Sequence, residues 1–121
     1  MELSVTVSAH FDAQHRIADY PPCADPHGHS WTVEATVSGD LDPKSGWVPG
    51  STFLEQDVRL MAEELNRSDL NVLLPGTVTS PLGIAGYFLE RLALRFQRLT
   101  SVRVSCSDGT AGEVRRTPRQ L

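Results

Sequence analysis

Two stretches of alternating residues constrain the fold of this chain more than any other feature. In the first, apolar side chains occupy the odd positions from Leu3 to Ala13 and polar side chains occupy the even ones. The second stretch repeats the alternation from Trp31 to Val37. A period of two is typical of strands with one buried and one exposed face. The sequence therefore predicts a sheet with one covered face.

Three histidines continue these two patterns. His15 keeps the parity of the first stretch, and His27 and His29 keep the parity of the second. Because residues two apart on a strand point to the same face, the three imidazoles are predicted to converge. Three protein ligands and one open position are typical of a catalytic zinc ion. Cys23 is either a fourth ligand that closes a structural site or a free thiol beside the metal.

The rest of the chain predicts two helices and then two more strands. Each helix carries an apolar stripe on one side, and each strand continues the alternation. These elements are a helix capped by Ser51 or Thr52 and reaching about Asn66, a helix capped by Ser80 and reaching Phe96, and strands at 102–106 and 113–117. The order ββααββ indicates an α+β fold, an antiparallel sheet with two helices on one face. Cys106 is predicted to be a small residue facing the core.

Size and composition narrow the function classes. The 121 residues are enough for a single domain, residues 1–121, with an ordinary hydrophobic content of 40%. A net charge of −4 argues against a nucleic-acid partner, and no run is long enough to span a membrane. Two cysteines make no disulfide framework, so a reducing cytoplasm is expected.

The chain resembles the 6-pyruvoyl-tetrahydropterin synthase family, which includes the 6-carboxy-tetrahydropterin synthases of queuosine biosynthesis. The resemblance is carried by Phe11-Asp12-Ala13-Gln14-His15 and by Cys23-x-x-x-His27-Gly28-His29 at the start of a strand. It continues through Gly46-Trp47-Val48 and Leu65-x-x-x-x-Leu70-Asn71, so it covers essentially the whole chain.

This resemblance implies a tunnelling fold, in which the sheets of three subunits close into a barrel and two trimers stack into a hexamer. It also implies active sites between subunits and a small-molecule substrate. Zn²⁺ would be bound by His15, His27 and His29, and Cys23 would be the catalytic thiol. Such a thiol near a dication can move a proton at a carbon beside a metal-bound oxygen.

The chain departs from the family at the residues that complete the proton relay and hold the pterin. Leu65-Asn66-Arg67 replaces a Leu-Asp-His motif, and Cys106-Ser107 replaces Glu-Thr at the end of the third strand. Asp108 would supply a carboxylate there only if the strand bulged by one residue. Arg67 and Asp69 lie where the relay is lost, and they are the further catalytic candidates.

The sequence therefore predicts a zinc-dependent lyase or cyclase that acts on a small oxygenated substrate other than the usual pterin. Two alternatives stay open. One is a pterin synthase that works with substitute residues, and the other is a non-catalytic protein in which zinc holds the fold. A homo-oligomer, trimer or hexamer, is expected because a sheet covered on one face leaves its other face and edges without partners.

Overall fold

The two alternating stretches form neighbouring strands of one five-stranded sheet. A computed structural model describes residues 2–117, and its sheet has the order β3-β1-β2-β4-β5. The strands are β1 (Ser4–His15), β2 (His27–Ser38), β3 (Ser68–Asp69), β4 (Leu99–Cys106) and β5 (Ala111–Arg115). The helices are α1 (Ser51–Leu65), α2 (Leu70–Leu73) and α3 (Pro81–Ala93). The predicted α+β class is confirmed.

The sheet is mixed, whereas the sequence predicted four antiparallel strands. The additional strand β3 pairs in parallel with β1, where Ala13 lies opposite Ser68 and Gln14 lies opposite Asp69. The short helix α2 follows it directly. A strand of two residues and a helix of one turn are too short to produce a visible periodicity. For that reason the alternation in the sequence did not indicate them.

The start of α3 follows the prediction, but the start of α1 does not. Ser80 caps α3, because its Oγ accepts a hydrogen bond of 3.1 Å from the backbone N–H of Gly83. At α1 the N-cap is Gly50, whose φ of 90° lies in the left-handed region that favours glycine. Ser51 is already helical and donates its hydroxyl to the carbonyl of Val48. No helix within residues 2–117 is long and apolar enough to cross a membrane.

Several other predicted boundaries were wrong, among them the start of β4, which lies at Leu99 rather than at Val102, and the end of β5, which lies at Arg115. Helix α3 ends at Ala93, so Phe96 lies beyond it, although its side chain still packs against the core. Strand β5 begins two residues earlier than predicted. Asp108 accepts hydrogen bonds from the backbone N–H and hydroxyl of Thr110, which holds a tight turn and lets pairing begin at Ala111.

The core lies on one face of the sheet, as the parity of the strands predicted. Helices α1 and α3 both cover this face, and the largest fully buried side chains include Trp31, Phe88 and Leu54. The opposite face is polar, with a hydrogen bond of 2.8 Å between the Thr6 and Thr36 hydroxyls. This layering leaves the polar face of the sheet uncovered within the protomer.

Candidate metal centre

Strand pairing brings the three predicted histidine ligands together. In the antiparallel register of β1 and β2, His15 lies directly opposite His27, and Ala13 lies opposite His29. His29 is two residues from His27, so all three side chains point to the face that carries the core. One ring nitrogen from each lies within 4.8 Å of the other two. The predicted convergence is therefore present in the structure.

Backbone carbonyls fix the tautomers of two of the rings. Nδ1 of His15 lies 2.7 Å from the carbonyl oxygen of Thr79, and Nδ1 of His27 lies 2.7 Å from that of Asp25. A carbonyl oxygen only accepts, so each Nδ1 carries the proton and each neutral ring has its lone pair on Nε2. These two Nε2 atoms are 2.9 Å apart. Two facing lone pairs at that distance repel each other unless a proton or a metal ion lies between them.

The third ring supplies another free nitrogen. Nδ1 of His29 is 3.4 Å from the Ser107 hydroxyl, and its buried Nε2 has no hydrogen-bond partner within the described part of the chain. A buried nitrogen without a partner is costly unless something binds it. Three Nε2 donors with their Nδ1 atoms oriented by other groups fit a zinc ion, for which such outer partners are usual.

Burial keeps His15 in the form that binds a metal. The side chain is buried, and this burial lowers the pKa of its imidazole. The Thr79 carbonyl acts in the opposite direction, while the nearby His27 and His29 lower the pKa further. A histidine that resists protonation remains a neutral ligand in mildly acidic solution.

The Trp31 side chain packs beneath two of the three histidines. Its indole meets His15 and His29 edge-on, at ring-centroid distances of 5.0 Å and 5.8 Å. The indole N–H donates to the carbonyl of Ala13 at 3.1 Å, and the ring stacks with Phe11 at 6.0 Å. Because the indole is held on both sides, it limits the orientations open to the two imidazoles.

A cavity of about 470 Å³ opens beside the histidines, and Cys23 lines it. Cys23 ends a short 3₁₀ turn, and its carbonyl accepts a hydrogen bond of 2.7 Å from the N–H of Ile17. The structure thus brings the predicted thiol and the three histidines to one cavity. The other lining residues are Ile17, Tyr20, Pro22, Ser80, Pro81, Cys106, Asp108 and Thr110.

A family model for 6-pyruvoyl tetrahydropterin synthase matches residues 4–117. The chain belongs to the 6-pyruvoyl tetrahydropterin synthase family. The match spans all five strands and the three helices, so the resemblance seen in the histidine and cysteine motifs extends over the whole described domain.

Solved structures show the same fold at low sequence identity. A 6-pyruvoyl tetrahydropterin synthase from Caenorhabditis elegans superposes with a TM-score of 0.82 at 19% identity, covering 97% of both chains. An uncharacterized protein from Wolinella succinogenes gives a TM-score of 0.76 at 16% identity, covering 97% of this chain and 99% of its own. The Plasmodium vivax synthase gives 0.71 at 17% identity, covering 96% and 98%. These likenesses establish that the subunit has the fold of the tunnelling-fold proteins.

Arg67 and Asp69 lie in a different cavity from Cys23. They line an open depression of about 680 Å³ that also includes Asp12, Gln14 and Ser107. His29 borders both cavities. The structure therefore separates two of the predicted catalytic residues from the third within one protomer.

Both residues also have local structural roles. Asp69 is the N-cap of α2, since its Oδ1 accepts from the N–H of Asn71 at 3.0 Å. Arg67 has a φ of 59°, and its N–H donates to the carbonyl of Asp12. A non-glycine residue in this region is uncommon, and the bond to β1 helps to hold it there.

Cys106 and Asp108 both line the cavity, although the sequence pattern predicted Cys106 only as a core residue and Asp108 there only if the strand bulged. Cys106 is buried, as expected for a core residue, but it also borders the open space beside His29. The alternation of side chains along the strand could have indicated the position of Asp108. Cys106 pairs with Trp31, so the next residue of the same parity on that chain, Asp108, comes alongside His29.

Proposed function

We propose that this protein is a zinc-dependent lyase or cyclase that acts on a small oxygenated substrate other than the usual pterin of its family. The observation that carries the proposal is the set of three Nε2 atoms, two of them 2.9 Å apart and the third without a partner. A zinc ion bound there would polarise a substrate carbonyl or hydroxyl oxygen.

Cys23 is the proposed proton carrier. It lies in the same cavity as the histidines, on a turn that Pro21 and Pro22 stiffen. The thiolate of Cys23 can take a proton from a carbon beside the bound oxygen, and the thiol so formed can return it to that carbon or to a neighbouring carbon on the same face. The prolines and the Ile17–Cys23 backbone hydrogen bond would hold the thiol in place without help from the substrate.

The substrate is proposed to differ from the usual pterin because this chain uses the relay positions for other contacts. The Oδ1 atom of Asn66 accepts from the N–H of Asp12 at 2.9 Å, so this side chain ties the end of α1 to β1. Cys106 occupies the position at the end of β4 where a pterin-binding glutamate would be expected. Arg67 and Asp69 would take part only if they reached the metal cavity of a neighbouring protomer.

A trimer or hexamer is the proposed assembly. The polar face of the sheet is uncovered, and β3 and β5 are its two edges. Uncovered edges favour pairing with further chains. We expect sedimentation at micromolar concentration to give three or six times the monomer mass, and a pure monomer would contradict the assembly. A cytoplasmic location is also proposed, since both cysteines are free thiols.

We expect the zinc-loaded protein to exchange the carbon-bound hydrogens of hydroxyacetone with deuterium from D₂O, as followed by NMR. Cys23→Ala should slow the exchange roughly a hundredfold while leaving zinc content and assembly unchanged, because only the proton carrier is lost. His10→Ala is the matched control. His10 is exposed on the polar face of the sheet, where it bonds Thr32.

Two outcomes of this experiment would contradict the proposal. Exchange that survives in Cys23→Ala, or that is the same after zinc removal, would exclude the assigned chemistry. A six-substituted tetrahydropterin formed from dihydroneopterin triphosphate would instead show that the family's pterin reaction persists with substitute residues.

A further inference from the structure

A second group of possible metal ligands shares His29 with the three histidines. A nitrogen of His29, Sγ of Cys106 and a carboxylate oxygen of Asp108 all lie within 4.8 Å of one another. A point central to three such atoms is within about 2.8 Å of each, so small side-chain movements would reach zinc bond lengths of about 2.0–2.3 Å. Imidazole, thiolate and carboxylate are all zinc ligands.

The carboxylate of this group is already oriented. Oδ1 of Asp108 accepts from the N–H of Thr110 at 2.9 Å and from its hydroxyl at 2.6 Å. These bonds fix the side chain and lower the pKa of the carboxyl. No lysine or arginine is among the residues that line the cavity, and Asp108 forms no ion pair within residues 2–117. Among the described residues, the negative charge therefore has no lysine or arginine beside it.

The two groups of possible ligands differ in the negative charge that they offer a divalent ion. Three neutral imidazoles leave a divalent ion with its full charge of two. A thiolate from Cys106 and the carboxylate of Asp108 would neutralise it, which favours binding in a partly buried cavity. Thiolate ligands also select softer ions such as zinc and cadmium over hard ones.

We propose that His29, Cys106 and Asp108 form a second coordination position for a thiophilic divalent cation in this cavity. Nδ1 of His29 faces the Ser107 hydroxyl, so Nε2 is its available nitrogen for either group. The two positions therefore overlap, and one ion occupies the cavity at a time. Binding at the second position breaks the S–H bond of Cys106, and the proton passes to solvent.

This inference rests on the metal-binding part of the proposed function, and cobalt spectroscopy tests the two separately. Wild type, Cys106→Ser and Cys23→Ser, each stripped of metal under reducing conditions, are titrated with Co²⁺. We expect wild type and Cys23→Ser to show the near-ultraviolet sulfur-to-cobalt charge-transfer band, and Cys106→Ser to lack it. Cys106→Ala serves as a second variant if Cys106→Ser folds poorly.

Cadmium affinity gives an independent measurement. Cys106→Ser should weaken Cd²⁺ binding at least tenfold, and Asp108→Asn should weaken it while keeping the cobalt band, since the thiolate remains. Asp40→Asn, at the far end of the sheet, is the control for the loss of one negative charge.

Each remaining outcome overturns the inference. Cobalt bound to wild type without the band would leave the three-histidine position as the occupied one and refute the second. A band lost in Cys23→Ser and retained in Cys106→Ser would assign the thiol ligand to the loop. Wild type that binds no cobalt or zinc would remove the proposed metal site and this inference with it.

Discussion

We expect replacement of His15 by alanine to weaken zinc binding strongly and to remove most of the stabilisation that zinc gives the native protein. The three Nε2 donors meet only in the folded sheet, so zinc binds the native state and raises the free energy of unfolding. At free zinc about a thousandfold above the dissociation constant, that increase is about 4 kcal/mol. Removing one of three ligands should eliminate most of it.

The measurement is the difference in unfolding temperature with zinc and with a chelator, determined for each variant separately. This difference cancels the cost of leaving the Thr79 carbonyl without its His15 partner, which affects both conditions. His10→Ala, on the same strand but exposed, should retain the full zinc effect. An unchanged zinc effect in His15→Ala would exclude this group as the metal centre.

The pH dependence of the metal-free protein follows from the same histidine. Burial lowers the pKa of His15 in the native state from its ordinary value of 6.5, so the unfolded chain binds a proton at higher pH than the native one. Stability should therefore fall as the pH drops below about 6.5 and towards the lower native pKa. Urea titrations of metal-free protein between pH 7.5 and 5 should show this fall, and His15→Ala should lessen it. A rise in stability over that range would contradict the assignment.

The strand pattern predicted the histidine cluster because side-chain direction follows the same rule in the sequence pattern and in the folded sheet. Side chains of equal parity share a face, and the register of a sheet with one buried face is strongly specified. The core face therefore fixed where His15, His27 and His29 point. Little beyond the alternation itself and antiparallel pairing was needed to bring them together.

Other parts of the site depend on interactions that do not appear as a periodic pattern in the sequence. The turn after β4 is set by the bonds between Asp108 and Thr110, and these place the carboxylate beside His29. The position of Asp69 depends on a two-residue parallel strand, whose pairing partner lies more than fifty residues away at Gln14. The sequence pattern therefore could not predict that Asp69 lies in a different cavity from Cys23.

Trp31 links the core to the metal centre, so its removal should affect both. The side chain is fully buried, and loss of a buried tryptophan typically lowers the free energy of unfolding by 3–5 kcal/mol. The Ala13 carbonyl would also lose the indole N–H as a donor. The space left under His15 and His29 would release two imidazoles from their orientations, which should weaken zinc binding at least tenfold.

Two further variants separate these effects. Trp31→Phe keeps most of the buried ring area but removes the N–H, so its loss of stability should be smaller than that of Trp31→Ala. Trp47→Ala removes the same type of side chain from an exposed position and should change the free energy of unfolding by only about 0.5 kcal/mol. Urea unfolding at one fixed protein concentration is the appropriate measurement, because an oligomer gains stability with concentration.

The relation between stability and zinc affinity decides whether Trp31 acts on the metal centre or only on the core. If Trp31→Phe binds zinc as wild type does while Trp31→Ala does not, packing beneath the two imidazoles is what orients them. If both variants bind zinc with wild-type affinity despite their lower stability, the contacts of His15 with the Thr79 carbonyl and of His29 with the Ser107 hydroxyl are enough to orient the two imidazoles. If the free energy of unfolding of Trp31→Ala lies within about 1 kcal/mol of the wild-type value, the buried indole does not make the expected contribution to stability.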